Sequence, residues 1–193
     1  MKYKLTDETR EWFGSILHRI EALKDFGNVK AGDKGGWIEK EENLDHYGEC
    51  WVYGDAWVYG DAWVSDNARV SDNARVSGDT WVSGDARVYG DACVYGYARV
   101  YGDAWVYGDA CVSDNADIKS KDDIIWLSGL GSENRTTTIF RTKDGNMLVS
   151  CGCFSGDLAA FEAKVKETHG DSKYAREYLS LIETAKIHFE EDV

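Results

Sequence analysis

From Val52 to Val112 a valine returns at every sixth position, and Ile118 closes the series. The unit reads V-[YS]-[GD]-[DN]-[AT]-x, with a small residue four places after each valine, as in Ala56, Ala62, Ala68, Ala74, Thr80 and Ala86. A fixed short period predicts a solenoid, in which each unit buries its apolar face only by stacking on its neighbours. No other feature of the chain restricts its fold as tightly.

Six residues suffice for one short strand and one corner. Three units close a triangular coil of 18 residues, and parallel strands of successive coils stack at about 4.8 Å. Twelve hexads therefore predict about four coils. Side chains alternate along a strand, so each valine points inward and its two neighbours outward. Valine fits because its β-branched side chain favours strands. The corners come in two forms, Gly-Asp (Gly54-Asp55) and Asp-Asn (Asp66-Asn67). Both provide a residue that tolerates positive φ and a side chain that can bond nearby backbone N–H groups. Corner capping is therefore the expected role of the stacked aspartates. A calcium ladder belongs to a nine-residue Gly-rich repeat, which this is not. Asn67, Asn73 and Asn115 among the acids relieve like-charge repulsion.

The net charge of −13 argues against nucleic acid and anionic membrane as partners, since both require a basic surface. No apolar run approaches the roughly 20 residues of a membrane span. The opening Met1-Lys-Tyr-Lys-Leu-Thr-Asp-Glu has no apolar stretch of a signal peptide, so the cytoplasm is the expected location. Cys50, Cys93, Cys111, Cys151 and Cys153 are an odd set without C-x-x-C spacing, read as unpaired structural thiols rather than a disulfide framework or zinc site. There is no proline among 193 residues and there are 20 glycines, so glycine must make most turns.

The period divides the chain into an N-terminal cap (1–45), a repeat region (46–118) and a tail (119–193). Within the cap, Ser15–Phe26 reads as a strand with Ile16 and Ile20 on one face, or as a helix presenting Phe13, Leu17, Ile20 and Leu23. Gly14 and Gly27 bracket the run, which favours the strand. In the tail, Ile124–Leu127, Thr137–Thr142 and Met147–Cys153 read as strands, with a hairpin turn at Lys143-Asp-Gly-Asn. Two helices follow. The first has Asp157 as N-cap, a face of Leu158, Phe161 and Val165, and Gly170 beyond its end. The second starts near Ser172 and presents Ala175, Leu179, Ile182 and Ala185.

The hexads resemble those of left-handed parallel β-helix proteins, in which the first position is aliphatic and the fifth small. Here the second position is Tyr or Ser instead of the frequent glycine. The flank Phe26-Gly-Asn-Val-Lys-Ala-Gly-Asp-Lys-Gly-Gly-Trp-Ile38, with Gly48-Glu-Cys-Trp-Val-Tyr53, looks like the start of uncharacterised bacterial hexapeptide acyltransferases. The whole arrangement, with its Gly-Cys-Phe and Thr-His-Gly-Asp tail, is similar to hypothetical proteins of bacteriophages and prophages. The resemblance implies a left-handed coil, a homotrimer and, as one candidate activity, acyl transfer. Those enzymes use a histidine base and a loop extruded from a coil. His18, His46, His169 and His188 all lie outside the regular hexads, and no loop interrupts the grid. No catalytic residue, metal ligand or cofactor is assigned. His46, at an inward position of the degenerate first hexad, reads as a capping residue.

Every third hexad builds one face. The first face carries Trp51, Arg69, Arg87 and Trp105 before the valines and Tyr53, Ser71, Tyr89 and Tyr107 after them. The second carries Trp57, Arg75, Cys93 and Cys111, and the third Trp63, Trp81, Arg99 and Asp117. Exposed Trp, Tyr and Arg mark interfaces, although aromatic and cation–π ladders between coils would also use them. The first face, with Trp51, Tyr53, Arg87, Tyr89, Trp105 and Tyr107, is the expected self-association surface. In the tail, the loop Ser128–Thr138 is rich in glycine and hydroxyl groups and includes Arg135. Gly131, Ser132, Arg135, Thr136 and Thr137, with His169, are the expected binding residues for a small anionic ligand. The overall expectation is a non-catalytic oligomeric scaffold of phage or prophage type that sequesters a nucleotide-like anion. The alternatives are an acetyl- or acyltransferase and a purely structural or protein-binding module.

Overall fold

A computed structural model describes residues 1–190. Strand β1 (Tyr3–Trp12) pairs antiparallel with β2 (Ser15–Ala22), and β2 pairs with β3 (Lys34–Ile38). Strands β4 to β15 are twelve two-residue strands from Trp51–Val52 to Asp117–Ile118. The tail holds β16 (Ile124–Leu130), β17 (Arg135–Arg141), β18 (Met147–Cys151), β19 (Phe154–Asp157), α1 (Leu158–His169) and α2 (Lys173–His188).

The grid folds as its period requires. Every valine from Val52 to Val112, together with Ile118, is fully buried, and so are Ala56, Ala68, Ala74 and Ala86. Strands 18 residues apart pair in parallel and in register, as in Trp51↔Arg69, Arg69↔Arg87 and Arg87↔Trp105. Three stacked sheets result, and their membership matches the three faces read from the sequence. The cap adds a further rung. Trp37–Ile38 pairs in parallel with Trp57–Val58, and Leu44 bridges Val64. The solenoid thus has about five turns, four of them from the hexads.

Both corner forms place their first residue in the left-handed region. Gly54, Gly84 and Gly90 have φ of 59°, 67° and 75°, and Asp66 and Asp72 have 56° and 61°. The aspartates at this position also bond the next coil: the Gly84 N–H donates to Asp66 at 3.0 Å and the Gly90 N–H to Asp72 at 3.1 Å. Asn67 and Asn73 donate to Asp85 and Asp91, both at 3.1 Å. The amides therefore separate carboxylates that would otherwise stack.

The ends of a solenoid expose unpaired backbone and open core, and both ends are closed. At the lower end the β1–β2 hairpin extends the sheet of the second face, giving a seven-stranded order β1-β2-β3-β5-β8-β11-β14. The chain reads there as strand, not helix, as Gly14 and Gly27 indicated. The expected pairing of Ile16 with Ile20 fails: Ile16 is exposed, and Leu17, Ile20 and Ala22 are buried. A register shift between Arg19 and Glu21 breaks the strict alternation that the expectation assumed. Strand β1 was not expected at all, because Tyr3 and Leu5 are the only apolar residues in its first half.

At the upper end the four tail strands form an antiparallel sheet, β16-β17-β18-β19. Alternation gives this sheet two different faces. Ile124 and Phe140 plug the solenoid core, whereas Ile139 and Val149 enter a second core with α1 and α2. The return strand ends at Cys151, two residues earlier than expected, and β19 is a further strand beyond the expected ones. The caps are where the sequence put them: the Ala160 N–H donates to Asp157 at 2.7 Å and the Ala175 N–H to Ser172 at 3.3 Å. The face of α2 is wider than expected, with Tyr178 and Leu181 buried alongside Ile182 and Ala185. No helix among the described residues is long and apolar enough to cross a membrane.

Candidate functional site

The outward columns of the solenoid form ladders. Trp63 and Trp81 meet edge to face at 5.6 Å, and Tyr89 stacks on Tyr107 at 5.0 Å. Arg87 lies over Trp105 at 5.1 Å and Arg99 over Trp81 at 5.0 Å. Trp51 corrects the expectation that every residue preceding a valine points into solvent. It is only 1 % exposed, with Tyr3 and Phe26 packed edge-on against it. The cap, through Tyr3 of β1 and Phe26 beyond β2, covers this position. On the rest of the first face, Tyr53, Arg69, Arg87 and Tyr89 line a groove of about 420 Å³, while Trp105 and Tyr107 stay part-exposed. Trp126 of β16 packs edge-on against Tyr107 at 4.4 Å.

In the tail, the concave face between the sheet and the helices forms a cavity of about 330 Å³. Ser132 and Arg135 reach it from the β16–β17 loop and the start of β17, Cys151 from the end of β18, Cys153 from the turn before β19, and Phe161, Lys164 and His169 from α1. Tyr178 of α2 forms part of the wall, and His169 stacks on it at 5.6 Å with an interplanar angle of 27°. Arg135, Lys164 and His169 bring cationic or protonatable groups together, with Glu133 beside them. Lys164 also pairs with Glu167 at 2.9 Å, an exposed contact of little strength. Arg135 has no ion-pair partner among the described residues.

Three of the six expected ligand residues therefore converge: Ser132, Arg135 and His169. The other three do not line the cavity. Thr136 lies one residue from Arg135 on a strand, so it faces the other way, and its hydroxyl meets that of Ser128 at 2.8 Å. Thr137 is fully buried behind the wall and donates to the Cys151 Sγ at 3.2 Å. The Gly131 N–H donates to Glu177 at 3.0 Å and is not free for an anion. Gly131 instead serves packing. Its φ is 70°, and a Cβ there would collide with the Tyr178 hydroxyl.

Lys164, Tyr178 and the two cysteines were not foreseen as site residues. Part of the signal was present: Phe161, Lys164, Val165 and Thr168 lie three or four apart and share one helix face. Which of them would look into a cavity depended on where α2 packs. Burial pushes the Tyr178 hydroxyl up to about 12, and nearby Cys151 adds to the rise. Tyr178 thus stays a neutral hydrogen-bonding wall, and its hydroxyl reaches the Leu130 carbonyl at 3.4 Å. His46 lies far from this site, at the cap. Its ring stacks on Tyr3 at 4.4 Å, and its Nδ1 accepts the Lys2 N–H at 3.1 Å.

Comparison with known proteins agrees with the solenoid. The family described as YdcK Beta solenoid repeat matches residues 68–84 and 86–102. The protein named Uncharacterized acetyltransferase YdcK, from Escherichia coli (strain K12), is 37 % identical over 59 residues. That match covers 26 % of this chain and 18 % of YdcK, so the chain spans under a fifth of that relative's length. With the valine grid, the stacked parallel sheets and these matches together, the chain is a hexapeptide-repeat β-helix protein.

Proposed function

We propose that this protein is a non-catalytic scaffold that holds a binding site for a small anion in the cavity of its tail. One observation carries the reading. In a chain of net charge −13, Arg135, Lys164 and His169 gather around one concave site. A guanidinium without a carboxylate partner among the described residues, beside a second cation, is suited to phosphate or carboxylate. The rings of His169, Tyr178 and Phe161 provide the flat apolar surface that a nucleotide-type ligand would stack on. A volume of about 330 Å³ is at the lower end of small-molecule sites. Self-association as a homotrimer through the first face, and a phage or prophage source, belong to the same proposal. The trimer rests on the ladder residues Tyr53, Arg87, Tyr89, Trp105 and Tyr107 and on the resemblance of the hexads, and the source on the resemblance of the whole arrangement with its tail.

A thermal-shift screen over nucleotides and simple phosphates tests the reading. The expected result is stabilisation by a phosphate-bearing ligand that disappears in Arg135→Ala. No stabilisation by any anion overturns it. Sedimentation of the free chain as a monomer removes the trimer.

Acyl transfer is the second reading, supported by the printed name of the YdcK relative. It predicts binding of acetyl-CoA, which calorimetry measures directly. The unbroken grid favours the first reading, since no loop leaves a coil between Trp51 and Ile118 and no histidine lies there.

A further inference from the structure

We infer that Cys93 and Cys111 are a reversible disulfide site that staples two consecutive coils on the second face of the solenoid. The two residues are direct Cα partners in parallel register. In-register parallel neighbours lie about 4.8 Å apart, inside the range of about 4.4–6.8 Å that a disulfide spans. Both side chains are half-buried on the same side of the sheet, and each remains a free thiol. Each follows a corner and precedes an inward valine, so the repeat itself fixes the two Cβ directions as parallel.

The surroundings favour chemistry at this pair over the other cysteines. The Cys93 thiol donates to the Asp91 carbonyl at 3.8 Å, and Cys111 is its in-register neighbour. Polar groups beside it, Cys93 first and then Tyr95 and Ser150, hold the Cys111 thiol down to about 6 despite its burial. The neighbouring Cys111, together with burial, pushes the Cys93 thiol up. Arg75, in the same column one coil below, adds positive charge. Of the two, Cys111 is thus the more acidic thiol and Cys93 the less acidic, the order of an attacking and a resolving thiol.

With a low-molecular-weight disulfide such as oxidised glutathione as oxidant, the Cys111 thiolate attacks one of its sulfurs. The S–S bond breaks, one glutathione leaves as thiolate and takes a proton from solvent, and Cys111 holds a mixed disulfide. Cys93 then loses its proton to solvent and attacks the Cys111 sulfur, which releases the second glutathione. Two protein thiols are oxidised by two electrons, and one glutathione disulfide is reduced to two thiols.

The test equilibrates the full chain with oxidised and reduced glutathione, blocks remaining thiols with N-ethylmaleimide, digests with trypsin and analyses the peptides by mass. The expected product is peptide 88–99 linked to peptide 100–119, from a chain that migrates as a monomer on a non-reducing gel and reverts with dithiothreitol. Cys93→Ser and Cys111→Ser each remove this product, and Cys153→Ser leaves it in place. Recovery of the two peptides singly blocked, a stable glutathione adduct on Cys111 alone, linkage to any other cysteine, or an intermolecular link overturns the inference. Unchanged melting curves of the serine variants, which are near-isosteric, show that loss of the product is not loss of fold.

Discussion

The solenoid and the tail solve the same problem, hiding apolar side chains, in opposite ways. In the solenoid one rule is applied twelve times, and each rung satisfies the polar groups of the next. The N–H groups of Ser71 and Ser83 donate to Val88 and Val100 one coil on, Asn67 and Asn73 donate to Asp85 and Asp91, and arginines cover tryptophans. The tail repeats nothing. Its sheet must serve two cores at once, and between it and the helices it leaves a cavity with Arg135, which has no ion-pair partner among the described residues. Regular stacking pairs most of the polar groups of the solenoid with the next coil. The cavity that gathers Arg135, Lys164 and His169 opens where the repetition stops.

Phe140 joins the two regions and offers the largest effect. It is fully buried in the solenoid end, so Phe140→Ala is expected to cost about 3–5 kcal/mol, read from urea unfolding. A single transition shifted to lower urea means that the regions unfold together. Two transitions would break the comparison by making the tail an independent unit.

Arg135→Ala is expected to weaken ligand binding by about 1.5–3 kcal/mol, the range of a charge-assisted hydrogen bond. The unliganded melting curve is expected to stay where it is. Loss of stability instead of binding would make Arg135 a structural residue and erase the contrast between the regions. Val82→Ala, in the middle of the stack, is expected to cost about 2 kcal/mol, from the lost methyl groups and the cavity they leave. It should leave ligand affinity unchanged.

The thiol pair sharpens the comparison through pH. Relative to an ordinary value of 9.0, Cys111 is lowered to about 6 and Cys93 is raised. Between pH 6 and 9 the unfolded chain holds the extra proton at Cys111, so stability rises with pH. Above pH 9 the folded chain holds the extra proton at Cys93, so stability falls. Urea midpoints measured against pH should follow this course, and Cys93→Ala/Cys111→Ala should flatten it. The smallest effect is at a corner. Asn67→Asp puts a carboxylate against Asp85 and is expected to cost about 0.5 kcal/mol at low salt and less at high salt.

How far the sequence could be read depended on how local the determining contacts were. The caps Asp157 and Ser172, the Lys143–Asn146 turn and the three faces were legible, because each depends on residues a few positions or one period apart. The burial of Trp51 was not, because the rings that cover it come from Tyr3 of β1 and from Phe26 beyond β2. Arg135 and His169 were legible as residue types. Their meeting was not, and neither was the exclusion of Thr136, which followed from the face that β17 turned towards the helices.

The sequence by itself determined the solenoid, since a strict six-residue period of β-branched residues has one way to bury every valine, and that is to stack. It also determined which residues share a column, because register in a repeat is arithmetic. Only the tertiary structure decided how the ends close, which tryptophan is withdrawn from the surface and where a cavity opens. Those outcomes depend on packing between segments far apart in the chain, where no period relates one residue to the next.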